Sequence, residues 1–138
     1  MIFLLPNAPK LPEGASSYGE CSYDEIVNLN GNHWRKILTI IAKLCSQEDE
    51  DWRIVRDQSI WQRATLIFTV EELTLEDEWV FIVGKSFSKD LPIPTRAVLV
   101  EDGKHQAFIE HRRIWTPYLD YRQFPNALID ALKNEIRK

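Results

Sequence analysis

The sequence predicts a single α/β domain over residues 1–138, built as three layers with a mostly parallel central sheet flanked by helices. Residues 79–83 form an unbroken apolar run that ends at Gly84. Such a run is typical of a strand covered on both faces, as in a parallel sheet packed by helices. The clearest helical periodicity covers residues 34–45. We therefore expect Gly84 to turn the chain at the carboxyl end of a central strand, where open α/β sheets bind their ligands.

The composition limits the class of protein. A chain of 138 residues can bury one core without disulfides or metals. Its net charge of −4 argues against tight binding to duplex DNA, because Lys and Arg side chains neutralise the phosphates in such complexes. No apolar run approaches the roughly 20 residues of a membrane helix, and the first residues lack a basic leader, so we expect a cytoplasmic protein that binds no membrane. Cys21 and Cys45 have no CxxC spacing and no nearby histidine pair, and we expect no metal and no cofactor.

The first quarter of the chain predicts a strand, a loop and a short helix. Residues 2–5 are apolar and are stopped by Pro6, and residues 7–17 are rich in turn formers. Ser22 begins a capping-box sequence, so we expect a helix that ends at residues 30–31. Asn32 is predicted to cap the helix that follows.

The second helix is predicted from the spacing of its apolar residues. We expect its inner face to carry Trp34, Ile37, Leu38, Ile41, Leu44 and Cys45, and its outer face Arg35, Lys36, Thr39 and Lys43. The Cys45 thiol is predicted to be buried and inert. The acidic run over residues 47–51 is interpreted as a solvated connector.

The middle of the chain is ambiguous between helix and strand. Residues 57–72 favour a helix, whereas residues 64–70 could instead form a strand. Residues 74–78 then lead into the central strand.

The last third of the chain predicts three strands and a helix. Residues 85–90 indicate a helical turn, and residues 96–101 a strand. The Asp-Gly pair at residues 102–103 is typical of a tight hairpin turn, with residues 106–110 as the partner strand. Residues 113–116 predict a further strand. A final helix, with Pro125 near its first turn, is predicted to turn Leu128, Ala131, Leu132 and Ile136 inward.

The usual catalytic and phosphate-binding motifs do not occur in the sequence. Gly84-Lys85-Ser86 resembles the end of a phosphate loop, but the upstream glycine would fall at Trp79. The densest polar and aromatic cluster spans residues 118–126. Its Tyr and Arg side chains suit either a nucleobase or a protein interface, and the alternative is that Asp120 and Arg122 pair locally.

Four segments of the chain resemble the uracil-DNA glycosylase superfamily, especially its mismatch-specific type. Residues 2–9 (Ile-Phe-Leu-Leu-Pro-Asn-Ala-Pro) resemble the strand and loop that open that fold. Residues 31–38 (Gly-Asn-His-Trp-Arg-Lys-Ile-Leu) are similar to its Gly/Ala-Asn-Arg-Phe-Trp-Lys helix start. Residues 80–86 resemble a strand that ends in Leu-Gly-Lys, and residues 114–118 the last strand before the loop that engages DNA.

The resemblance implies a function and a set of site residues. Asn7 would orient the attacking water as the catalytic residue. The base pocket would be lined by Asn32, His33, Trp34, Pro117 and Tyr118, and Tyr121 and Arg122 would contact the nucleic acid or another partner. Two departures affect the chemistry more than the scaffold: residues 7–9 replace the family's Asn-Pro-Gly, and residues 117–119 replace its His-Pro-Ser or Asn-Pro-Ser.

Three functions stay open at this point. The first is a glycosylase-like domain that binds a nucleobase, or binds single-stranded or damaged DNA weakly, with or without excision. The second is a non-enzymatic module for protein interaction or homodimerisation. The third is a hydrolase that uses Cys45 or Cys21. Convergence of Asn7 and Tyr118 on one concave pocket with a basic rim would favour the first, and a flat aromatic patch the second.

Overall fold

A computed structural model describes residues 1–73 and 78–138, and within them the chain forms two compact units. The first unit comprises residues 1–7 and 65–138, and the second comprises residues 8–64. The predicted lead-in at residues 74–78 lies, except for Glu78, outside the described residues.

The first unit contains a six-stranded mixed sheet with the order β2-β1-β3-β6-β5-β4. Its strands are β1 Ile2–Leu4, β2 Thr65–Ile67, β3 Val80–Val83, β4 Val98–Glu101, β5 Gln106–Glu110 and β6 Arg113–Thr116. The pairings of β1 with β2, of β1 with β3 and of β3 with β6 are parallel. Strand β5 runs antiparallel to both β4 and β6. The chain is thus an α/β protein, as the sequence predicts.

Short connections explain why two of the five strand pairings are antiparallel. The predicted hairpin turn is present between β4 and β5, where Gly103 adopts a φ of 98°. Only two residues separate β5 from β6. A turn this short can join only antiparallel neighbours, since a parallel pair needs a crossover of a dozen or more residues.

Strand β3 lies at the centre of the sheet, and all four of its residues are buried, as its apolar run predicts. The ring of Phe81 stacks on that of Phe3 in the neighbouring strand, with centroids 4.6 Å apart. The chain leaves β1 for β2 on one side and returns to β3 on the other side. Such a reversal of strand order is a topological switch point, and it is located at the carboxyl ends of β1 and β3.

Cross-strand registers place one row of large apolar side chains on a single face of the sheet. Ile82 lies opposite Trp115, Trp115 opposite Phe108, and Phe108 opposite Leu99. Ile82 and Trp115 belong to a buried cluster against which Phe108 and Leu91 pack. The row is the structural basis of the site described below.

The final helix, α5 Asn126–Ile136, packs against β4 and β5. Pro125 precedes its first residue, as predicted. Leu128 and Leu132 are buried, as predicted, while Ala131 and Ile136 are half-buried and Ile129 is an additional buried residue.

The second unit is helical. It contains a 3₁₀ turn at Tyr18–Glu20 and the helices α1 Tyr23–Asn30, α2 Asn32–Cys45, α3 Trp52–Ile54 and α4 Ile60–Arg63, with a π-helical turn at Val55–Ser59. The Ser22 capping box is present, and α1 ends at Gly31, which has a φ of 83°. Gly31 also precedes α2, so Asn32 is its first helical residue rather than the predicted cap. No helix in the described part of the chain is long and apolar enough to cross a membrane.

The predicted helix over residues 57–72 is wrong beyond Arg63. The helical path ends there, and Thr65–Ile67 forms β2 beside β1. Residues 70–72 form a 3₁₀ turn. The alternative prediction of a strand over residues 64–70 is therefore correct for Thr65–Ile67. Pairing with a distant strand outweighs the local helical pattern there.

Three predictions on burial in the helical unit need correction. Thr39 is only 3% exposed, and its hydroxyl accepts a hydrogen bond from Nη1 of Arg56 at 3.5 Å. Cys45 is half-buried rather than buried. The acidic run is exposed at residues 47–49 and 51, as interpreted, but Glu50 is half-buried and its carboxylate binds both Nη atoms of Arg63.

Candidate functional site

A cleft of about 560 Å³ opens in the first unit, where the carboxyl ends of the parallel strands meet. Pro6 follows β1, Gly84 follows β3 and Pro117 follows β6, and all three line the cleft. The volume lies within the range of about 300–1,000 Å³ that is typical of small-molecule sites. The cleft therefore coincides with the place where α/β sheets of this kind bind ligands.

The floor of the cleft is the apolar row on the sheet. Ile82, Trp115 and Phe108 come from three adjacent strands and line the cleft together. The Trp115 indole N–H donates to the carbonyl oxygen of Leu91 at 2.9 Å, which fixes the plane of the ring. An apolar floor with an oriented indole suits a flat ligand.

One wall of the cleft is formed by Pro117 and Tyr118. The Gly84 N–H donates to the Thr116 carbonyl oxygen at 2.9 Å, so the turn after β3 and the wall after β6 are joined by the backbone. A Cβ atom at Gly84 would lie 3.6 Å from Cδ2 of Tyr118, and Gly84 has a φ of 76°. The tyrosine ring therefore lies beside the glycine.

The Tyr118 hydroxyl is a neutral group at physiological pH. Burial of the half-buried side chain raises its pKa, and the negative charge of Asp120 raises this pKa further. A phenol with a raised pKa keeps its proton, and a protonated hydroxyl can donate a hydrogen bond as well as accept one.

The polar groups of the cleft come from the turn after β3 and from two amides. Lys85 is the charged residue among the described lining residues, and Ser86 and Ser88 lie on the same turn. The amide side chains of Gln106 and Gln123 also line the cleft. A few polar groups around an apolar floor are what a small-molecule site needs for orientation and specificity.

The sequence placed two of its predicted site residues in this cleft. Pro117 and Tyr118 line it together. Asn7 is exposed and follows Pro6, which is a lining residue. Tyr121 is 42% exposed and Arg122 is also exposed, on the loop that follows Tyr118.

The loop after Tyr118 is held by Asp120 through the backbone. Oδ1 of Asp120 accepts the Arg122 backbone N–H at 2.9 Å. The predicted local contact between Asp120 and Arg122 is thus a hydrogen bond from the backbone N–H of Arg122 to the Asp120 side chain. Leu119 and Phe124 are fully buried and attach the loop to the core.

The other predicted pocket residues belong to the helical unit. Asn32 and His33 are exposed on the first turn of α2, whereas Trp34 is only 4% exposed. Trp34 is therefore packed in the interior, as its place in the apolar periodicity predicts.

The described residues give little support to metal or thiol chemistry. No group of three or more His, Cys, Asp and Glu side chains in residues 1–73 and 78–138 is placed to hold a metal ion. Cys21 is buried, and burial together with the nearby Glu25 and Glu20 raises the pKa of its thiol. A raised pKa disfavours the thiolate that a nucleophile requires.

Among the lining residues that the predicted site did not include, Lys85 is the charged one. Its signals in the sequence are its position directly after Gly84, at the end of the predicted central strand, and the resemblance of Gly84-Lys85-Ser86 to the end of a phosphate loop. The strand register, which the sequence does not specify, brings this turn to the wall formed by Tyr118.

Comparison with protein families gives one match. A family model described as "Family of unknown function (DUF6942)" matches residues 1–137. The chain belongs to the DUF6942 family. Comparisons with curated proteins and with solved structures give no match. The function of this DUF6942 protein must therefore be argued from its cleft.

Proposed function

We propose that this DUF6942 protein binds a nucleobase in the cleft at the carboxyl edge of its parallel strands. The observation that carries the proposal is the combination of an apolar floor, Ile82-Trp115-Phe108, with the Tyr118 wall at a topological switch point. A planar aromatic ligand would stack on the half-buried tyrosine ring.

The polar groups of the cleft support a base over a purely apolar ligand. The amides of Gln106 and Gln123 each offer a donor and an acceptor, as base edges do. The protonated Tyr118 hydroxyl adds a further donor. Recognition of unstacked bases in other proteins combines aromatic stacking with hydrogen bonds of this kind.

A titration with free nucleobases and nucleosides tests the proposal. Tyr118→Ala removes the stacking surface, and we expect it to weaken binding roughly tenfold, since base–aromatic stacking contributes about 1–3 kcal/mol. Tyr23→Ala is the control, because Tyr23 is a half-buried tyrosine of α1 that is not a lining residue of the cleft. Equal affinities for the two variants would overturn the proposal.

The finer form of the proposal is a uracil-DNA glycosylase-like fold in which Asn7 acts on a base bound in the cleft. The exposed Asn7 amide, one residue after the lining residue Pro6, supports this form. The amide would orient a water towards the sugar carbon of an extruded nucleotide. The altered residues 8–9 and 117–119 weigh against efficient excision.

Incubation with oligonucleotides that carry uracil or a mismatch tests excision. If the protein excises a base, Asn7→Ala should abolish abasic-site formation while nucleobase binding is retained. Asn134→Ala, at an exposed position of α5, is the control. Excision by Asn7→Ala at the wild-type rate would remove Asn7 from the mechanism.

A second candidate function, homodimerisation, is supported by the edge of the sheet. Strand β4 lies at the end of the strand order, and its Val98 and Leu99 are 55% and 45% exposed. An exposed apolar edge strand is a template for pairing with another chain. We expect Val98→Lys to reduce the mass measured by light scattering if β4 pairs with a second copy, and a monomeric wild type would exclude this function.

A further inference from the structure

We infer that the cleft takes a nucleobase that carries a phosphate, and that Lys85 binds the phosphate. This inference rests on the proposed function and names the ligand class more closely, as a nucleoside monophosphate. It is drawn from the place of one cation beside the aromatic wall of the cleft.

The charge of the lining favours an anionic ligand. Lys85 contributes a positive charge, and the other described residues that line the cleft are uncharged. The protein as a whole has a net charge of −4. A cation in a concave apolar site of an acidic protein concentrates positive potential where a ligand's anionic group can use it.

The position of Lys85 suits a ligand that stacks on Tyr118. Lys85 follows Gly84, and its Cα therefore lies about 3.8 Å from that of the glycine. A Cβ atom at Gly84 would itself be 3.6 Å from the Tyr118 ring. The flexible four-carbon stem of the lysine can thus place its ammonium group next to a base bound at Tyr118.

The turn that carries Lys85 is firmly attached to the core. Phe87, two residues later, is only 8% exposed and belongs to the same buried cluster as Ile82 and Trp115. The Ser88 hydroxyl donates to the Lys85 carbonyl oxygen at 2.9 Å. The Leu91 N–H donates to the Phe87 carbonyl oxygen at 2.7 Å, and the Leu91 carbonyl oxygen in turn accepts the Trp115 indole N–H at 2.9 Å.

The turn that carries the cation also contacts the floor of the cleft. The residue that holds Trp115 in place and the residue that carries the charge lie on one turn, residues 85–91. Ser86, on the same turn, adds a lining hydroxyl that can donate to a phosphate oxygen. Base, sugar and phosphate would therefore meet groups whose backbone positions are fixed before binding.

The phosphate could belong to a free mononucleotide or to the end of a strand. The net charge of −4 disfavours a polyanion, whose binding depends on several Lys and Arg contacts to successive phosphates. A single cation matches a single phosphate group. We therefore assign the free mononucleotide as the ligand.

The test compares a nucleoside with its 5′-monophosphate by calorimetric titration at two salt concentrations. The wild type should bind the monophosphate roughly fivefold more tightly, the advantage expected of one exposed charge pair, and added salt should reduce this advantage. Lys85→Gln should bring the monophosphate to the affinity of the nucleoside and remove the effect of salt. Lys89→Gln, an exposed lysine of the same turn outside the lining residues, should behave as the wild type.

Each other outcome overturns a distinct claim. If the nucleoside binds and the phosphate adds nothing, or if Lys85→Gln matches Lys89→Gln, the phosphate site is wrong while the nucleobase cleft stands. If neither compound binds, the proposed function fails and the phosphate site fails with it. If a short 5′-phosphorylated oligonucleotide binds more tightly than the mononucleotide and depends on Lys85, the ligand is a strand end and the assignment to a free mononucleotide is wrong.

Discussion

Gly84 is the residue on which the geometry of the cleft depends most directly. Its φ of 76° turns the chain out of β3, and it lies beside the Tyr118 ring. An L-residue in this conformation costs roughly 1–2 kcal/mol. A Cβ atom would meet the tyrosine at 3.6 Å, which is an ordinary van der Waals distance, so the backbone rather than a clash sets the penalty.

We predict that Gly84→Ala lowers the free energy of unfolding by about 1–2 kcal/mol. Denaturant titration measures the change. Gly19→Ala is the control, because Gly19 has no positive φ and its added Cβ would also meet its nearest atom, Oγ of Ser17, at 3.6 Å. Equal stability of the two variants would show that the conformation of Gly84 carries no strain.

The residues of the cleft differ in how well the sequence predicts them. Tyr118 is predictable as a site residue, because several aromatic and polar residues are concentrated around it between a strand and a helix. Lys85 lies in a Gly-Lys-Ser sequence, but Trp79 stands where a phosphate loop needs a glycine, and a single exposed lysine carries no periodic signal. Its proposed role depends on the pairing of β3 with β6, which joins residues more than 30 positions apart.

At the scale of elements, the hairpin between β4 and β5 depends on the ionised carboxylate of Asp102. Its Oδ1 accepts the backbone N–H groups of Lys104 at 2.9 Å and of His105 at 2.7 Å. These bonds, with a contribution from the His105 side chain, lower the pKa of Asp102 from 3.8 to about 2.

The lowered pKa gives a signed prediction for stability against pH. Because the folded pKa lies below the unfolded one, the contribution of Asp102 is complete above the unfolded value of 3.8 and is lost as the pH falls through about 2. Asp102→Asn should therefore lose less stability than the wild type on acidification through this window. Thermal unfolding measured across the window, with Asp130→Asn on α5 as control, checks the prediction. Parallel curves for Asp102→Asn and the wild type would contradict it.

Elements marked by local signals were predicted from the sequence, and an element that depends on distant pairing was not. The Ser22 capping box, the Asp102-Gly103 turn and the apolar run of β3 each act within a few residues, and the structure confirms them. The residues of β2 fall in a stretch for which the sequence favours a helix, because Ile60, Trp61 and Ala64 follow a helical spacing. Its strand conformation comes from pairing with β1, some 60 residues earlier.

For the whole molecule, the sequence predicts the α/β class correctly. The sheet is mixed, because β1, β2, β3 and β6 pair in parallel while β5 is antiparallel to β4 and β6. The family match over residues 1–137 covers both compact units. The cleft itself lies within the unit that contains the sheet. The proposed base site is therefore this cleft, which contains Pro117 and Tyr118 of the predicted pocket but is lined by none of Asn32, His33 and Trp34.

The most direct test of that claim is the response of tryptophan indole N–H signals to added nucleoside in a ¹H–¹⁵N spectrum. The protein has five tryptophans, and Trp115 lies on the floor of the cleft. We predict that the indole signal of Trp115 shifts on titration, while Trp61, whose indole N–H donates to the Cys21 carbonyl oxygen in the helical unit, stays in place. A shift of Trp34 without any change at Trp115 would contradict the proposed site and would place the base beside Asn32, His33 and Trp34, the part of the predicted pocket on α2.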